Sequence, residues 1–401
     1  MSWEIIEIGS LCEIGRGSSP RPINNRAYFD GGDIPWIKIA DATSSGKEIV
    51  ETKEHVNSYG ASFSRLLPIG SLILATSGVS LGQVKLLGVE GCIHDGWIYI
   101  KNYNGIEKEF LYYKLIELEK HFHSESYGAA IQNINTDILR RTKISLPPLQ
   151  TQKRIASILS AYDDLIENNL KRIKLLEETA QNIYKEWFIN FRFLNYENTP
   201  FNKETGLPEG WEIKTIAQFG TVITGKTPST SNENFFGGKI PFVKTPDMHD
   251  APYVLQSSIT LSIEGAESQN NKYLPKNSVM VSCIGTAGVV SLTSENCQTN
   301  QQINSVRFDE EYKSFYFYCF AKGLKQLLEG LGSNGATMVN VNKSKFENID
   351  ITVPSEFLIK KYNKLVNPIF DQILLLQDNN QKLKEARDIL LPRLMNRTIE
   401  I

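Results

Sequence analysis

The side chains best suited to recognise another molecule gather where the chain turns. The stretch "RGSSPRPINNR", Arg16 to Arg26, carries three arginines and no acid between Glu13 and Asp30, among residues that favour an exposed loop. Arginine and asparagine can make paired hydrogen bonds with the edges of guanine and adenine, so Arg16, Ser18, Arg21, Asn24, Asn25 and Arg26 are candidate DNA contacts. A plain solvated turn accounts equally well for any one of them. "GKTPSTSNENFF" offers Lys226, Thr227 and Ser229 in the same style. "ATSGVSLGQ", with Thr76 and Ser77, and "CIGTAG", with Thr286, could turn hydroxyls and backbone amides towards phosphate, although tight hairpins explain their glycines too. "YGAAIQNINTDILRR" (Gln132, Asn133, Asn135) and "NGATMVNVNKSKF" (Asn334, Asn340, Asn342, Lys343) are amide-rich, with basic residues following, and Lys244 completes the set. Phosphate contacts position a protein and base contacts specify the sequence; residue type alone does not divide these candidates between the two tasks.

Bond-making chemistry finds less support. "NPIF", Asn367 to Phe370, imitates the Asn-Pro-Pro-aromatic motif of amino-methyltransferases, but no glycine-rich cofactor loop follows a strand. Proline as a first-turn residue of a helix is the better account. Asp41 with Glu51 and Lys53 imitates a nuclease acid-x-lysine arrangement, yet the corresponding positions near Ser257 and Ile259 lack the chemistry. His121 and His123 end a helical stretch without a further ligand, which favours a surface histidine pair over a metal site. The five cysteines are odd in number, scattered and without CxxC spacing, so neither a disulfide framework nor a zinc site is indicated.

Composition sets the frame for these loops. A chain of 401 residues, 41% hydrophobic and 22% charged, is ordinary globular material with room for two or three domains. A formal charge of -2 gives no global basic signature, so any basic surface is local. No apolar run approaches the roughly 18 residues of a membrane span, and "MSWEIIEIGS" lacks the layout of a signal peptide. The expectation is a cytoplasmic protein with no membrane partner.

An internal repeat positions the candidate loops. "WEIIEIGSLCEIGRGSSP" (Trp3 to Pro20) returns as "WEIKTIAQFGTVITGKTP" (Trp211 to Pro228). "GGDIPWIKIAD" returns as "GGKIPFVKTPD", "LPIGSLILATSG" as "LPKNSVMVSCIG", and "GAAIQNIN" as "GATMVNVN". Each copy mixes short β-rich runs with Gly/Ser/Asn/Pro turns and one helical stretch, then switches after Pro147 or Pro354 to a period near 3.5. The fold class expected is α+β, a tandem duplication of two mixed α/β domains, each followed by a long helix. The boundaries are 1–150 for the first domain, 151–193 for its helix, 194–210 for a linker, 211–354 for the second domain and 355–401 for its helix.

The helical seams carry one irregularity each. The first runs Ile155, Leu159, Tyr162, Ile166, Asn169, Ile173, Leu176, Ala180, Ile183, Trp187; the second runs Tyr362, Val366, Ile369, Ile373, Leu376, Asn380, Leu383, Arg387, Leu390, Leu394. Only an antiparallel arrangement lets Asn169 face Asn380 while every other seam position meets a seam position, with Ile173 on Leu376 and Trp187 on Tyr362. A buried amide in an apolar seam sacrifices stability to fix register and orientation. An asparagine at the wet edge of a broad stripe is the plainer account. Pro368 either kinks the second helix or opens its straight part. From Ile155 to Trp187 is about 48 Å at roughly 1.5 Å per residue, or about 14 base pairs at roughly 3.4 Å each, which makes the helices a ruler between two readers.

Four segments also carry a family resemblance. "ISLPPLQTQKRIASILSAYDDLIENN", "LLEETAQNIYKEWFINFRF", "GLPEGWEI" and "LKEARDILLPRLM" resemble, in this order and across the whole chain, the conserved regions of the specificity subunit of type I restriction-modification systems. Thr151 departs from the acidic residue usual before Gln152. The resemblance implies a non-catalytic subunit with two target-recognition domains, each reading one half of a split, asymmetric site in double-stranded DNA. It implies an antiparallel coiled coil that docks two methylation subunits, with restriction (motor-nuclease) subunits joining in the full complex. No cofactor is expected in this chain; S-adenosylmethionine belongs to the methylation subunits. The alternative is a self-contained methyltransferase or nuclease, or a non-DNA coiled-coil scaffold with duplicated binding domains.

Overall fold

The computed structural model describes residues 3–399 except 44, 120–121, 123–132, 250 and 333–338. The chain forms two compact units, residues 1–167 with 382–401 and residues 168–381. The strands of the first are β1 (Glu4–Glu7), β2 (Glu13–Arg16), β3 (Ile34–Ile37), β4 (Glu48–Ile49), β5 (His55–Val56), β6 (Arg65–Leu67), β7 (Leu72–Ala75), β8 (Val84–Leu87), β9 (Gly91–Ile93), β10 (Trp97–Lys101) and β11 (Lys143–Leu146). They build a five-stranded sheet in the order β2-β10-β7-β8-β4, a four-stranded sheet β5-β3-β9-β6, and a pair β1-β11.

The "LILA" of β7 explains the layering. All four residues are buried, and alternate side chains leave opposite faces of a strand. Leu72 and Leu74 join Phe110, Tyr113 and Ile155 under the helix Lys108–Glu117, while Ile73 and Ala75 join Ile37, Ile93 and Trp97 between the two sheets. A strand apolar on both faces must be central. Each of these leucines contributes about 1.5–3 kcal/mol by leaving water.

The second unit repeats the plan with β12 (Glu212–Thr215), β13 (Thr221–Thr224), β14 (Phe236–Val243), β15 (Tyr253–Val254), β16 (Ile259–Leu261), β17 (Val279–Ser282), β18 (Ile284–Gly285), β19 (Val290–Thr293), β20 (Gln298–Thr299), β21 (Ile303–Arg307), β22 (Val339–Asn340) and β23 (Asp350–Val353). Its five-stranded sheet runs β13-β21-β17-β19-β15, the same order position by position. Val279 and Val281 face one core and Met280 the other, as in β7. The register repeats as well: Glu4 pairs with Leu146 in the first unit and Glu212 with Val353 in the second.

Two long helices complete the units, Leu149–Tyr184, closed by a π turn at Lys185–Ile189, and Glu356–Met395. Both contribute to each unit, and in each unit they run antiparallel. In the second, Asn169 donates its amide to Asn380 Oδ1 at 2.8 Å, and the Trp187 and Tyr362 rings lie 6.2 Å apart. In the first, Arg387 bonds Asp163, whose other oxygen accepts the Tyr113 hydroxyl at 2.5 Å. Asp163 is buried where the seam pattern puts Tyr162, because a carboxylate with both a guanidinium and a phenol to bond can leave water. Beside it Arg387 is held charged even more firmly than usual: burial alone would lower its pKa, and Asp163 and Asp388 outweigh burial.

Pro368 does not open a helix. It lies inside Glu356–Met395, with Asn367 donating to Asp371 Oδ2 at 2.7 Å and Phe370 stacked on Phe315 at 4.1 Å. The packed aromatic pair and the helix continuing on both sides hold the segment helical where propensity alone argues for a start.

Candidate nucleic-acid interface

The candidate loops meet at one edge of each domain, and a close backbone approach decides where they leave the sheet. Gly17 follows β2 and donates its N–H to Trp97 O at 2.8 Å; a Cβ there would stand 2.2 Å from His94 O. Gly225 follows β13 in the same way, donating to Ile303 O at 3.1 Å, and a Cβ there would stand 2.1 Å from Asn300 O. Only glycine fits either place.

In the first domain the turn between β9 and β10 ties the edge together. Arg16 Nε donates to Asp95 O at 2.9 Å, Ser19 Oγ donates to Asp95 Oδ1 at 3.2 Å, and Arg21 forms an ion pair with the same carboxylate. Burial opposes ionisation of Asp95, but His94, Arg21 and Ser19 prevail and hold its pKa below the usual carboxylate range. Burial likewise lowers the pKa of His94, helped by Lys38 and Arg21 and opposed by Asp95 and Glu54. Arg21 remains 68% exposed despite that ion pair. Asn24 and Arg26 are exposed on the same loop. Asn25 instead caps the turn Arg26–Tyr28 through Ala27 N, and Ser18 lends its carbonyl to Ser64 Oγ at 2.6 Å.

Thr76 is fully buried, with its hydroxyl donating to Gly96 O at 3.0 Å. That bond holds the Asp95 turn in place, so Thr76 supports the edge and touches nothing outside. Ser77 is exposed and forms an antiparallel bridge with Asn133. Asn135 caps the helix Thr136–Arg141 by accepting from Asp137 N and Ile138 N. Gln132 and Asn334, like His121 and His123, lie outside the described residues.

The second domain builds the same edge with other side chains. Ile284 pairs with Asn340, the counterpart of the Ser77–Asn133 bridge. Lys226 is exposed, its N–H held by Thr299 O at 2.9 Å and its carbonyl by Gln269 Nε2 at 2.7 Å. Thr227 Oγ1 donates to Gln301 Oε1 at 2.8 Å, and the Ser229 and Ser231 hydroxyls share a bond of 2.7 Å. Lys244 follows β14, whose Val243 pairs with Thr299, so it flanks the same turn. Thr286 is exposed, and its carbonyl accepts from Ser282 Oγ at 2.6 Å. Asn340 is exposed; Asn342 caps the helix Lys343–Glu347 through Lys345 N; Lys343 reaches Glu347 at 3.3 Å.

The connectors are the residues that motif reading passes over. His94 and Asp95 in "IHDGW", and Gln301 and Gln302 in the amide-rich "TNQQINS", form the turn that each arginine- or lysine-bearing loop leans on. A polar run wedged between two buried strands was the available signal.

Among the described residues the catalytic alternatives find no geometry. Asp41 is buried and accepts the backbone N–H of Lys38 at 2.8 Å and of Lys53 at 3.3 Å, which makes it a turn-forming residue. Among the described residues no group of His, Cys, Asp and Glu could hold a metal ion, and no helix is long and apolar enough to cross a membrane. Burial pushes the Cys297 and Cys319 thiols up to about 12, which leaves them inert.

Comparison with known proteins gives one answer twice. The family model described as "Type I restriction modification DNA specificity domain" matches residues 1–178 and again 208–385. The HindI specificity subunit of Haemophilus influenzae is 33% identical over 358 residues, covering 74% of this chain and 78% of that one. The MjaIX specificity subunit of Methanocaldococcus jannaschii is 28% identical over 415 residues, covering 98% and 92%. Among solved structures, the S subunit of a type I restriction-modification system from M. genitalium superposes with a TM-score of 0.57 at 16% identity over 98% of this chain and 96% of that one, a likeness of fold.

Proposed function

The chain belongs to the type I restriction-modification DNA specificity family, and we propose that the two loop edges are its DNA readers, one for each half of a split target. The protein is the non-catalytic recognition subunit of a multisubunit restriction-modification enzyme, and nothing in its relatives supports a self-contained methyltransferase, nuclease or scaffold.

One observation carries the proposal: the same strands and turns bring different side chains to the same edge. The first domain presents Arg16, Arg21 and Asp95 where the second presents Lys226, Thr227 and Gln301, while Asn133 and Asn340 are common to both. Arginine suits paired bonds to guanine, and amides suit adenine. An asymmetric target follows from two such edges on one scaffold. Two methylation subunits, carrying S-adenosylmethionine, would supply the chemistry, and restriction subunits would join in the full complex. The first long helix, 36 residues or about 54 Å at roughly 1.5 Å each, would set the unread gap between the half-sites.

Methylome sequencing of cells with and without the gene tests this reading. A split motif should lose its methyladenine when the gene is removed and regain it on complementation. If every methylated motif survived the deletion, the reading would be wrong.

A further inference from the structure

The second domain carries a cationic cleft beside its loop edge. It encloses about 300 Å³ and is lined by Thr221, Thr224, Asn271, Lys272, Arg307 and Lys343 on a floor of Val222 and Ile223. The three cations come from three separate elements: the turn Asn270–Lys272, the end of β21 and the start of the helix Lys343–Glu347. No carboxylate lines it. Lys343 reaches Glu347 outside the cleft, and among the described residues Lys272 and Arg307 form no ion pair.

The first domain shows what an internally neutralised version looks like. Thr221 pairs with Arg307 across β13 and β21, where the first domain pairs Glu13 with Lys101 across β2 and β10. Glu13 there takes Lys101 at 3.3 Å and the Asn102 amide at 2.7 Å, and Arg65, the counterpart of Lys272, lies over the Tyr99 ring at 5.9 Å. The second domain has lost that acid and gained a hydroxyl. Like charges sharing one concavity repel, and an entering anion relieves the repulsion.

We propose that this cleft seats one phosphate of the DNA backbone at the flank of the second half-site, and that the first domain has no such seat. The assignment rests on the recognition reading above. A guanidinium, two ammonium groups, a threonine hydroxyl and an asparagine amide are the donors that phosphate oxygens take. The cleft adjoins the edge directly: Lys343 follows Asn342, and Thr224 Oγ1 donates at 2.6 Å to Asn304, whose amide reaches Val341 O at 3.3 Å.

The test uses the complex with its methylation subunits and a duplex carrying its methylated motif, with affinity measured from 50 to 200 mM salt. Losing one phosphate contact flattens the log–log salt slope by about 0.9, so Arg307→Gln should lose roughly 3.5-fold less affinity than the native complex over that range. Arg307→Lys should keep the native slope, Lys101→Gln should leave it unchanged, and discrimination against a base change in the second half-site should stay as it was. A single uncharged methylphosphonate flanking that half-site should weaken the native complex and be silent with Arg307→Gln. An unchanged slope in Arg307→Gln overturns the assignment. A flattened slope with no silent methylphosphonate position means a free anion occupies the cleft, and this overturns it too. A native complex that does not prefer the motif duplex defeats the recognition reading itself.

Discussion

Replacing Asn169 and Asn380 by leucine, singly and together, separates stability from register. The two side chains are 4% and 5% exposed and share a bond of 2.8 Å. A single leucine gains about 1.5–3 kcal/mol by burial, but it removes the bond that the opposite amide makes in an apolar seam, at a cost of about 1–3 kcal/mol. Each single variant should therefore lie near the native protein. The double variant keeps both burial gains and loses the shared bond once rather than twice, so it should be more stable than the sum of the singles by about 1–3 kcal/mol. A chain of two units has no single unfolding free energy, so the assay is local: hydrogen exchange of amides 166–173 and 376–383. The second readout is methylation of targets whose half-sites stand one or two base pairs closer or farther apart. The double variant should accept spacings that the native complex rejects. Additive single effects would refute the coupling, and a double variant as strict about spacing as the native one would refute the register role.

Three further outcomes follow from the edge and the helices. Asp95→Asn should free the Arg16–Arg26 loop, read as faster hydrogen exchange over residues 17–26; in the native protein the same loosening should appear on acidification. The sign is fixed by two depressed pKa values: the carboxylate tether holds above the usual carboxylate pKa and fails as pH falls through its lowered one, and His94 resists the proton that an unfolded imidazole takes up below about 6.5. Gly225→Ala must move Asn300 O, which lies 2.1 Å from the new Cβ, so methylation of the motif should fall at least tenfold while Gly330→Ala, with open space around its Cβ, leaves it unchanged. Lengthening both long helices by one matched heptad adds about 10 Å at roughly 1.5 Å per residue, and the methylated motif should gain about three base pairs of gap at roughly 3.4 Å each; an unchanged gap in an active complex would sink the ruler.

The duplication and the helix seams were legible because both are periodic. A repeat that keeps glycine at 17 and 225 keeps the exit of each loop, and a stripe returning every three or four residues keeps a helix. What the sequence hid was tertiary. Thr76 looks like a phosphate ligand, but burial turns its hydroxyl inward to Gly96 O. Pro368 looks like a helix start, yet Phe370 stacked on Phe315 shows packing overriding propensity. Asp95 carries no motif; its role arises because β9 and β10 set it beside Arg16, Ser19 and Arg21, residues more than seventy positions away in the chain. Short loop motifs therefore identified candidates, while long-range pairing decided which of them form the edge.

The two units also hold register by different polar pairs, and the difference has a consequence. Asp163 with Arg387 is an ion pair whose carboxylate is 6% exposed, and Asn169 with Asn380 is a neutral amide pair. A slip of the second helix by one heptad would bring neither Arg387 to Asp163 nor Asn380 to Asn169. It would leave a buried carboxylate without its cation, at about 3–5 kcal/mol, together with two amides without each other, at about 1–3 kcal/mol apiece. The leucine and isoleucine positions do not distinguish the native register from that slipped one, since they pack against each other in both, whereas the Trp187 ring beside Tyr362 and the Tyr362 hydroxyl on Ala180 O at 3.3 Å do. Register in this protein is therefore carried by these polar pairs and the contacts of Tyr362 rather than by the leucines and isoleucines of the seam. Removing the asparagine pair alone should leave the ion pair enforcing register in the first unit, so Asp163→Leu with Arg387→Leu, added to the double leucine variant, should widen the accepted spacings further than either pair of changes alone.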